Sequence, residues 1–378
     1  MHNVDYDLYG IIGIRLINPS EGDVRNISKL LLPFRSNLVR EPDINIEFKK
    51  NWELGDIINI GLDTGFNDDG FYILSNGRTK LKAKIPFDKI GGKFTIVCEQ
   101  DIVGIPLFNQ FINLSFLRKN YVPIHASAFS YNNSNVLVIG WSKGGKSEIL
   151  FSFMNHGAQF IGDETILIST LEKKIYGIPV PVSIWEWQFK EIPKLLPSLN
   201  RQKKMLFKGI HLINWLYKLA NKIKLKNLSV VKLVGESLPV LKKQLNIRVA
   251  PDKIFGSKIN WSEHNLNKII LAMSHSKKNI LVDECDSQNI INRMLTSSLY
   301  EFDSFYNFYN MYKFAFPGSK NKFIESVPEL YNELLRDALS DIETYKVVHP
   351  YPVTYESLFE SLKPIVCENI LSKSEGLI

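Results

Sequence analysis

Residues 135–150 read NVLVIGWSKGGKSEIL and join an apolar run to a helix-forming run through a short loop of glycine, lysine and serine. Within them, residues 140–147 (GWSKGGKS) satisfy the pattern G-x-x-x-x-G-K-[ST] in full. The run VLVI before the loop is typical of a buried strand, and Gly157 beyond it is a suitable helix stop. Helical spacing puts four apolar residues on one face: Ile149, Leu150, Phe153 and Met154. The stretch therefore predicts a strand, a loop and a helix, in that order.

A strand–loop–helix unit of this kind directs consecutive backbone N–H groups and a helix N-terminus at one point, which is a geometry that binds phosphate. Lys146 would reach the outer phosphates of a nucleotide, and the Ser147 hydroxyl would bind Mg²⁺. We therefore predict a P-loop for ATP and Mg²⁺. Its candidate binding residues are Gly140, Ser142, Lys143, Gly144, Gly145, Lys146, Ser147 and Glu148.

Turnover of a bound nucleotide requires an acidic residue at the metal, and two acidic pairs compete for that role. Asp163 and Glu164 lie in QFIGDETILI, just beyond the predicted P-loop helix. Asp283 and Glu284 follow the run NILV, as strand-end acids do in many ATPases. The strand after the P-loop helix is expected to lie close to it, so we predict that Asp163 and Glu164 form the metal site with Ser147.

Three stretches together resemble the catalytic domain of HPr kinase/phosphorylase and its relatives, and more distantly the phosphoenolpyruvate carboxykinase type of P-loop. Residues 124–140 (IHASAFSYNNSNVLVIG) resemble the family's histidine-bearing strand, hairpin turn and pre-loop strand. Residues 140–150 (GWSKGGKSEIL) resemble its loop, and residues 155–168 (NHGAQFIGDETILI) resemble its return to a strand ending in paired acids. The likeness is dense over residues 120–170.

The resemblance implies an α/β fold with a P-loop kinase domain of the HPr kinase/phosphoenolpyruvate carboxykinase type. It implies transfer of the ATP γ-phosphoryl group to a hydroxyl, typically of serine, in a protein, peptide or small-molecule acceptor. Lys146 would hold phosphates and Ser147 would hold Mg²⁺, while Asp163 and Glu164 would share metal binding and general-base work. His125 would lie beside the reacting phosphoryl group. The family's C-terminal arginine- and glycine-rich loop has no clear counterpart here, so HPr itself is not the expected acceptor.

Two points stay open after this comparison. A lone histidine in an apolar strand is usually structural, so His125 can have either a structural or a catalytic role. The sequence also does not decide which of Asp163 and Glu164 is the metal ligand and which is the base.

The composition is that of an ordinary globular protein, with 378 residues of which 45% are hydrophobic and 22% charged. Residues 1–104 contain runs such as INIEF and KFTIVCEQ and predict a β-rich N-terminal domain, with a hairpin turn at Asn76-Gly77. Residues 105–378 predict the P-loop kinase-like domain. No apolar run approaches the length of a membrane span, and the first residues lack the basic start of a signal peptide, so we expect a cytoplasmic protein.

The net charge of +7 is concentrated in residues 201–248, which carry twelve Lys or Arg against one acid, Glu236. This segment has a net charge of +11, so the rest of the chain carries −4. It belongs to a helical insertion predicted at about residues 190–248, in which Lys218 and Lys222 lie beside an apolar stripe. Such a helix can pack on the core with its lysines in water, bind an acidic acceptor peptide, or lie on a membrane or a nucleic acid. An anionic partner should be sought here, and a homo-oligomer is also open.

These observations predict a Mg-ATP-dependent phosphotransferase. One alternative is a nucleotide-binding regulatory or scaffold protein that phosphorylates no acceptor, and another is a plain ATPase that uses Asp283 and Glu284. The acids at 163 and 164 favour transfer, because a nucleotide sensor does not need two carboxylates at the metal.

Overall fold

The computed structural model of the chain is a mixed α/β structure with several sheets and ten described α-helices. The residues that it describes are 2–75, 77, 79–223, 228–259 and 261–367. The chain forms two compact units, of which the first comprises Met1–Val180 with Lys258–Ile378 and the second comprises Pro181–Ser257. The predicted insertion at about residues 190–248 lies within the second unit.

The N-terminal part of the first unit is built mainly of strands. Its elements are β1 (Asn3–Leu8), β2 (Ile12–Ile17), α1 (Glu21–Leu31), β3 (Arg35–Ser36), β4 (Ile44–Lys49), β5 (Ile58–Ile60), β6 (Thr64–Asn67), β7 (Gly70–Ser75), β8 (Lys80–Lys84) and β9 (Phe94–Glu99). The strands form one sheet in the order β3-β1-β2-β4-β9-β8-β7-β6-β5. Nine of these ten elements are strands. The antiparallel pair β7 and β8 flanks the predicted Asn76-Gly77 turn, of which Asn76 lies outside the described residues.

Helix α1 is an element that the strand-rich composition does not predict. Ser20 caps it, because its hydroxyl accepts from the backbone N–H of Asp23 while the Asp23 carboxylate accepts from that of Ser20. This capping box is a recognisable helix start in the sequence. The predicted domain boundary near residue 104 falls between β9 and the next helix, inside the first unit, and stays a prediction.

The rest of the first unit alternates strands and helices. Its elements are α2 (Phe108–Arg118), β10 (Tyr121–Ile124), β11 (Ser127–Tyr131), β12 (Ser134–Ile139), α3 (Lys146–Asn155), β13 (Gln159–Gly162), β14 (Ile166–Ser169), β15 (Lys174–Gly177), β18 (His264–Asn265), β19 (Lys268–His275), β20 (Leu281–Glu284), α7 (Ser287–Glu301), α8 (Asp303–Ala315), α9 (Lys322–Leu339), β21 (Glu343–Pro350) and α10 (Tyr355–Cys367). The predicted strand–loop–helix unit is present as β12, the loop and α3.

Six strands form the sheet that carries the loop, in the order β13-β11-β12-β19-β21-β20. Strands β12, β19 and β21 run parallel at its centre, and the other pairs are antiparallel. Helices α3 and α10 pack against one another, and α7 packs against α9. A smaller sheet has the order β10-β14-β15-β18. The carboxyl ends of the three parallel strands therefore define one edge, where ligands bind in open α/β sheets.

The second unit is mainly helical. Its elements are β16 (Val182–Trp185), α4 (Arg201–Lys222), α5 (Ser229–Lys242), β17 (Asn246–Val249) and α6 (Pro251–Phe255). Strands β16 and β17 pair antiparallel, and α4 packs against α5. Among the helices that the structure describes, none combines the length and apolar character needed to cross a membrane.

Candidate active site

One edge of the six-stranded sheet brings distant parts of the sequence together. Strand β12 ends at Ile139, and its antiparallel neighbour β11 begins at Ser127, which pairs with Val138. Strand β13 ends at Gly162, which pairs with Ala128 at the start of β11. The segments that carry the predicted histidine and the predicted acids therefore meet the loop after β12 at this edge.

The glycine-rich loop (residues 140–145) lies tightly against the neighbouring strands. A Cβ atom on Gly140 would lie 2.4 Å from the carbonyl oxygen of Ala272 in β19. A Cβ atom on Gly145 would lie 1.9 Å from Nε2 of His349 in β21, and Gly145 also has a φ of 106°. A side chain at either position would have to displace this neighbour, and at Gly145 it would also have to adopt an unfavourable positive φ. Only glycine fits without strain. The two glycines of the motif are thus required by packing as well as by backbone conformation.

His349 is a supporting residue that the sequence analysis misses. Its side chain is fully buried, and Nε2 lies 3.1 Å from the carbonyl oxygen of Gly144. Nδ1 lies 2.8 Å from the carbonyl oxygen of Pro350. His349 therefore ties the second half of the loop to the end of β21.

The tip of the loop is open to solvent, whereas its end is buried. Trp141, Ser142 and Lys143 are exposed, and Gly144 and Gly145 are buried. Lys143 has a φ of 63°, in the left-handed region that a lysine seldom adopts. Lys143 is thus exposed at the tip, where a cationic side chain can meet an anion.

The N-terminus of α3 faces the site with its backbone donors. The helix begins at Lys146, and its N-cap residue is Gly145, which has no side chain to bond the first N–H groups. The first N–H groups of the helix therefore suit an anion. Glu148, in this first turn, is buried, and burial raises the pKa of its carboxyl group.

Lys146 is buried and its ammonium group is held at the start of the loop. Nζ donates to the carbonyl oxygens of Gly140 and Trp141, at 3.1 Å each. Burial lowers the pKa of Lys146, and the surrounding carboxylates oppose that change. A phosphate at the loop would restore a full counter-charge to this lysine.

Asp163 is hydrogen-bonded to Ser147, the second residue of α3. The Ser147 hydroxyl donates to Oδ2 of Asp163 at 3.0 Å, and the Ser127 hydroxyl donates to Oδ1 at 2.5 Å. Burial raises the pKa of Asp163 to about 6, the nearby Glu164 adds to that rise, and the two serines oppose it. Ser127, the first residue of β11, is a further contributor that the sequence analysis misses.

His125 lies between two carboxylates. Its Nε2 is 3.2 Å from Glu164 and its Nδ1 is 2.8 Å from Glu301, the last residue of α7. Burial opposes a charge on the ring, but the hydrogen bonds to Glu164 and Glu301 outweigh it and raise the pKa of His125 to about 9. His125 is therefore an imidazolium at neutral pH that donates to both acids. Glu301 is absent from the predicted site, and no local sequence pattern marks it.

Glu164 adopts an uncommon backbone conformation beside Asp163. Its φ is 70°, in the left-handed region, where a non-glycine residue costs on the order of 1–3 kcal/mol. The turn directs Glu164 to His125 while Asp163 is bonded to Ser147. The two adjacent acids therefore have different partners.

The oxygen atoms of Ser147 and Asp163 suit Mg²⁺. A hydroxyl and a carboxylate are hard oxygen ligands, and Mg²⁺ in such sites takes its remaining ligands from water and phosphate. Within the described chain, no group of three or more His, Cys, Asp or Glu residues is arranged to hold a metal ion. The donor set therefore fits a metal held jointly with a nucleotide rather than a site built wholly from protein.

The competing acids, Asp283 and Glu284, lie away from this cluster. They belong to β20, an edge strand, and both are exposed. They pair in register with Lys346 and Tyr345 of β21, whereas the loop contacts β21 at His349, several residues further along. The structure thus brings the 163–164 pair to the loop and leaves the 283–284 pair on the sheet edge.

A cavity of about 420 Å³ opens beside the start of the loop. Gly140, Trp141 and Met273 line one side, and α7 lines the other with polar residues that include Asn292 and Arg293. Its volume is within the range of small-molecule sites. The ring of Trp141 lies 5.3 Å from that of Tyr300 at the end of α7. The cavity is thus a concave, partly polar space that borders the start of the loop.

No model of a known protein family matches the chain, and no curated protein matches it at a significant level. A functional assignment therefore depends on the residues and their geometry.

Proposed function

We propose that the chain is a Mg-ATP-dependent kinase that transfers the γ-phosphoryl group to a hydroxyl of a protein, peptide or small-molecule acceptor. The observation that carries the proposal is the contact between Ser147 and Asp163 at the N-terminus of a helix that begins with Lys146 after the N-cap Gly145. A hydroxyl, a buried carboxylate and a lysine at one end of a phosphate-binding helix are the protein's usual contribution to phosphoryl transfer. The sequence resemblance to HPr kinase/phosphorylase points to the same chemistry, and we extend the proposal to a P-loop kinase domain of that type.

The hydrogen bonds support a division of labour between the adjacent acids. Asp163 is bonded to Ser147 and is the better placed metal ligand, while Glu164 is half-buried and bonded to His125. Bound Mg²⁺ would neutralise charge on the phosphate oxygens. Glu164 would accept the proton of the acceptor hydroxyl as its oxygen forms the new bond to phosphorus and the bond to the leaving ADP oxygen breaks.

His125 and Glu301 would hold Glu164 in place for that step. The imidazolium of His125 adds a positive charge near the transferring group, where charge neutralisation favours the transition state. Glu301 acts through His125 as a positioning residue. His125 is therefore proposed to work as a cation and hydrogen-bond donor rather than as the base.

The cavity beside Gly140 is the proposed entrance for the acceptor. The lysine of a P-loop reaches the β and γ phosphates, and here Nζ of Lys146 is bonded to the carbonyl groups of Gly140 and Trp141, which line the cavity. The terminal phosphate would therefore lie at the mouth of the cavity.

The proposal is tested by incubating the purified full chain with γ-labelled ATP, Mg²⁺ and a panel of hydroxyl acceptors, including serine-containing peptides and free serine. Binding of ATP is measured separately by calorimetry. Asp163→Asn and Lys146→Met should abolish label transfer. Asp283→Asn is the matched control, because it removes an exposed carboxylate of the rival pair and should leave transfer unchanged.

The alternatives give different results in the same experiment. ATP binding without transfer to any acceptor would support a regulatory or scaffold protein instead. Hydrolysis that is lost in Asp283→Asn but retained in Asp163→Asn would support the plain ATPase and overturn the proposed site.

A further inference from the structure

Helix α4 is apolar on two opposite faces. Phe207 and Ile210 are buried on the inner face. On the outer face six large apolar side chains are exposed, between 41% for Leu219 and 73% for Met205. They are Met205, Leu212, Trp215, Leu216, Leu219 and Ile223. At 100° per residue they occupy an arc about 100° wide, as broad as the apolar face that a helix normally buries. We call this set the outer stripe of α4.

The spacing of the outer stripe is that of a helix that packs on another helix. Positions 205, 212, 216, 219 and 223 follow steps of seven, four, three and four residues, which repeat about every 3.5 residues. Over 18 residues at 1.5 Å each, the stripe is roughly 27 Å long. A scattered surface leucine needs no explanation, but a continuous stripe of this length does.

Lysines lie on one side of the outer stripe, with Lys208 just inside its arc and three others beyond its edge. They are Lys204, Lys208, Lys218 and Lys222. The opposite edge carries the uncharged Gln202, Gly209 and Ala220. Within the described part of Pro181–Ser257, no carboxylate lies within ion-pair distance of these four lysines. The stripe is therefore amphipathic across its width, with one positive side.

We propose that the outer stripe of α4 binds an amphipathic acidic helix of a partner protein or peptide. Its apolar residues would cover the stripe at i, i+3, i+4 and i+7 spacing, and its Asp or Glu residues along one edge would face the lysines. This proposal does not depend on the proposed phosphotransfer. The basic charge of the segment, +11 over residues 201–248, gives the complementary sign for such a partner.

Two other occupants fit these features less well. An anionic membrane would contact both edges of an embedded helix, and only one edge of α4 is basic. A second copy of the chain would bring a second segment with a charge of +11 against the first, and like charges oppose such pairing. The one-sided charge therefore favours a partner that is itself one-sided.

The test uses the full chain and a fluorescein-labelled synthetic helix with leucines at heptad positions and glutamates along one edge. Fluorescence anisotropy is expected to show binding that weakens as salt is raised, because the lysine edge contributes. The double variant Leu212→Ser/Leu219→Ser should weaken binding about tenfold or more. The variant Lys204→Gln/Lys222→Gln should weaken binding and reduce its salt dependence.

Controls distinguish binding at the outer stripe from nonspecific binding of the peptide. Leu62→Ser/Leu171→Ser removes two leucines elsewhere in the chain that are even more exposed, and it should leave binding unchanged. The same peptide with lysine in place of glutamate, or with its leucines shuffled out of register, should not bind. All of the substituted side chains are exposed, and circular dichroism confirms that each variant is folded.

Each remaining outcome overturns the proposal. Absence of peptide binding, or equal binding by the stripe variant, removes the acidic-helix partner. Binding to vesicles containing phosphatidylglycerol, lost in Leu212→Ser/Leu219→Ser, would assign the stripe to a membrane. Self-association in sedimentation, lost in the same variant, would assign it to a second copy.

Discussion

The hydroxyl of Ser147 donates to the buried carboxylate of Asp163 at 3.0 Å, so the second residue of α3 is joined to the residue that follows β13. This contact puts two oxygen ligands next to Lys146. It also leaves the Asp163 carboxylate away from solvent. A negative charge on this carboxylate is favourable there only when a cation lies nearby.

Asp163→Asn should stabilise the ligand-free protein at pH 8 while abolishing Mg²⁺-dependent ATP binding. Burial raises the pKa of Asp163 to about 6, above its value near 3.8 in the unfolded chain. The folded state therefore binds the proton more tightly, so the contribution of Asp163 to stability falls as pH rises from about 4 to 6 and stays low above that. Removing the ionisation should recover on the order of 1–3 kcal/mol at pH 8 and little at pH 4. Thermal unfolding of wild type and variant at both pH values measures the difference.

In the wild type, affinity for Mg-ATP should rise between pH 5 and 7, because Asp163 must be ionised to bind the metal. If Asp163→Asn is less stable than the wild type at pH 8, the charge of Asp163 does not destabilise the fold as proposed. A wild-type affinity that does not change across this pH range would also contradict the proposed role of Asp163.

Ser127→Ala should move the pH dependence of Mg-ATP binding upward. The Ser127 hydroxyl donates to Asp163 and favours its ionised form, so its loss raises the pKa of that carboxyl further. The midpoint should shift by on the order of half to one pH unit. Ser152→Ala is the matched control, because this equally buried hydroxyl donates to the carbonyl oxygen of Ile149 inside α3. If both variants shift the midpoint alike, Ser127 has no specific role in the ionisation of Asp163.

The parts of the site that the sequence predicts are those that local pattern specifies. Turn chemistry specifies the hairpin, since Asn132 and Asn133 have φ values of 49° and 63° as a tight turn between β11 and β12 requires. The glycine pattern and its apolar flanks specify β12, the loop and α3. The short return from α3 to β13 brings Asp163 back to the loop over a few residues.

The parts that the sequence does not predict depend on the order of distant strands and helices. Glu301 meets His125 across 176 positions of sequence, and His349 meets Gly144 across 205. Neither residue belongs to a motif, and an acid at the end of a helix is, if anything, unfavourable beside its dipole. Only the packing of α7 and the position of β21 next to β19 bring them to the loop. The exposure of a second apolar face on α4 is likewise a tertiary property, because periodicity alone does not say which face is covered.

Glu301→Gln should lower the pKa of His125 by about one unit or more, since it removes one of the two carboxylates that contact the imidazole ring. The raised pKa of His125, about 9, means that its charge stabilises the fold fully below pH 6.5 and that this contribution is lost as pH rises through 9. In Glu301→Gln, the stabilising contribution of the His125 charge should be lost at a lower pH than in the wild type. The imidazole titration followed by NMR measures the shift, and the alkaline limb of phosphotransfer should move in the same direction.

Glu356→Gln is the control for this prediction, because Glu356 pairs with His156 at 3.2 Å on α10. Glu356→Gln also removes a carboxylate that contacts a histidine ring, but at a different histidine. It should therefore leave the titration of His125 unchanged. An unchanged His125 titration in Glu301→Gln would show that Glu164 alone sets the charge of the ring.

Gly145→Ala should damage the proposed nucleotide site more than a comparable glycine substitution elsewhere. Gly145 and Gly157 both have positive φ, at 106° and 95°, so alanine costs about 1–2 kcal/mol of conformational energy at either position. At Gly157 nothing lies within 4 Å of the added Cβ, whereas at Gly145 it would lie 1.9 Å from Nε2 of His349. Gly157→Ala should therefore lower stability and leave nucleotide affinity unchanged, while Gly145→Ala should lower affinity about tenfold or more as the loop is displaced.

The clash itself is tested by the double variant Gly145→Ala/His349→Ala, compared with each single variant by thermal unfolding and ATP calorimetry. His349→Ala alone should destabilise the loop, because it removes a buried ring that contacts Gly144. If the two residues clash, the double variant loses less than the sum of the single losses, since the alanine at 145 then occupies space that His349 has vacated. Strictly additive losses would mean that Gly145 is required only for its backbone conformation, and that His349 does not hold the loop through this contact.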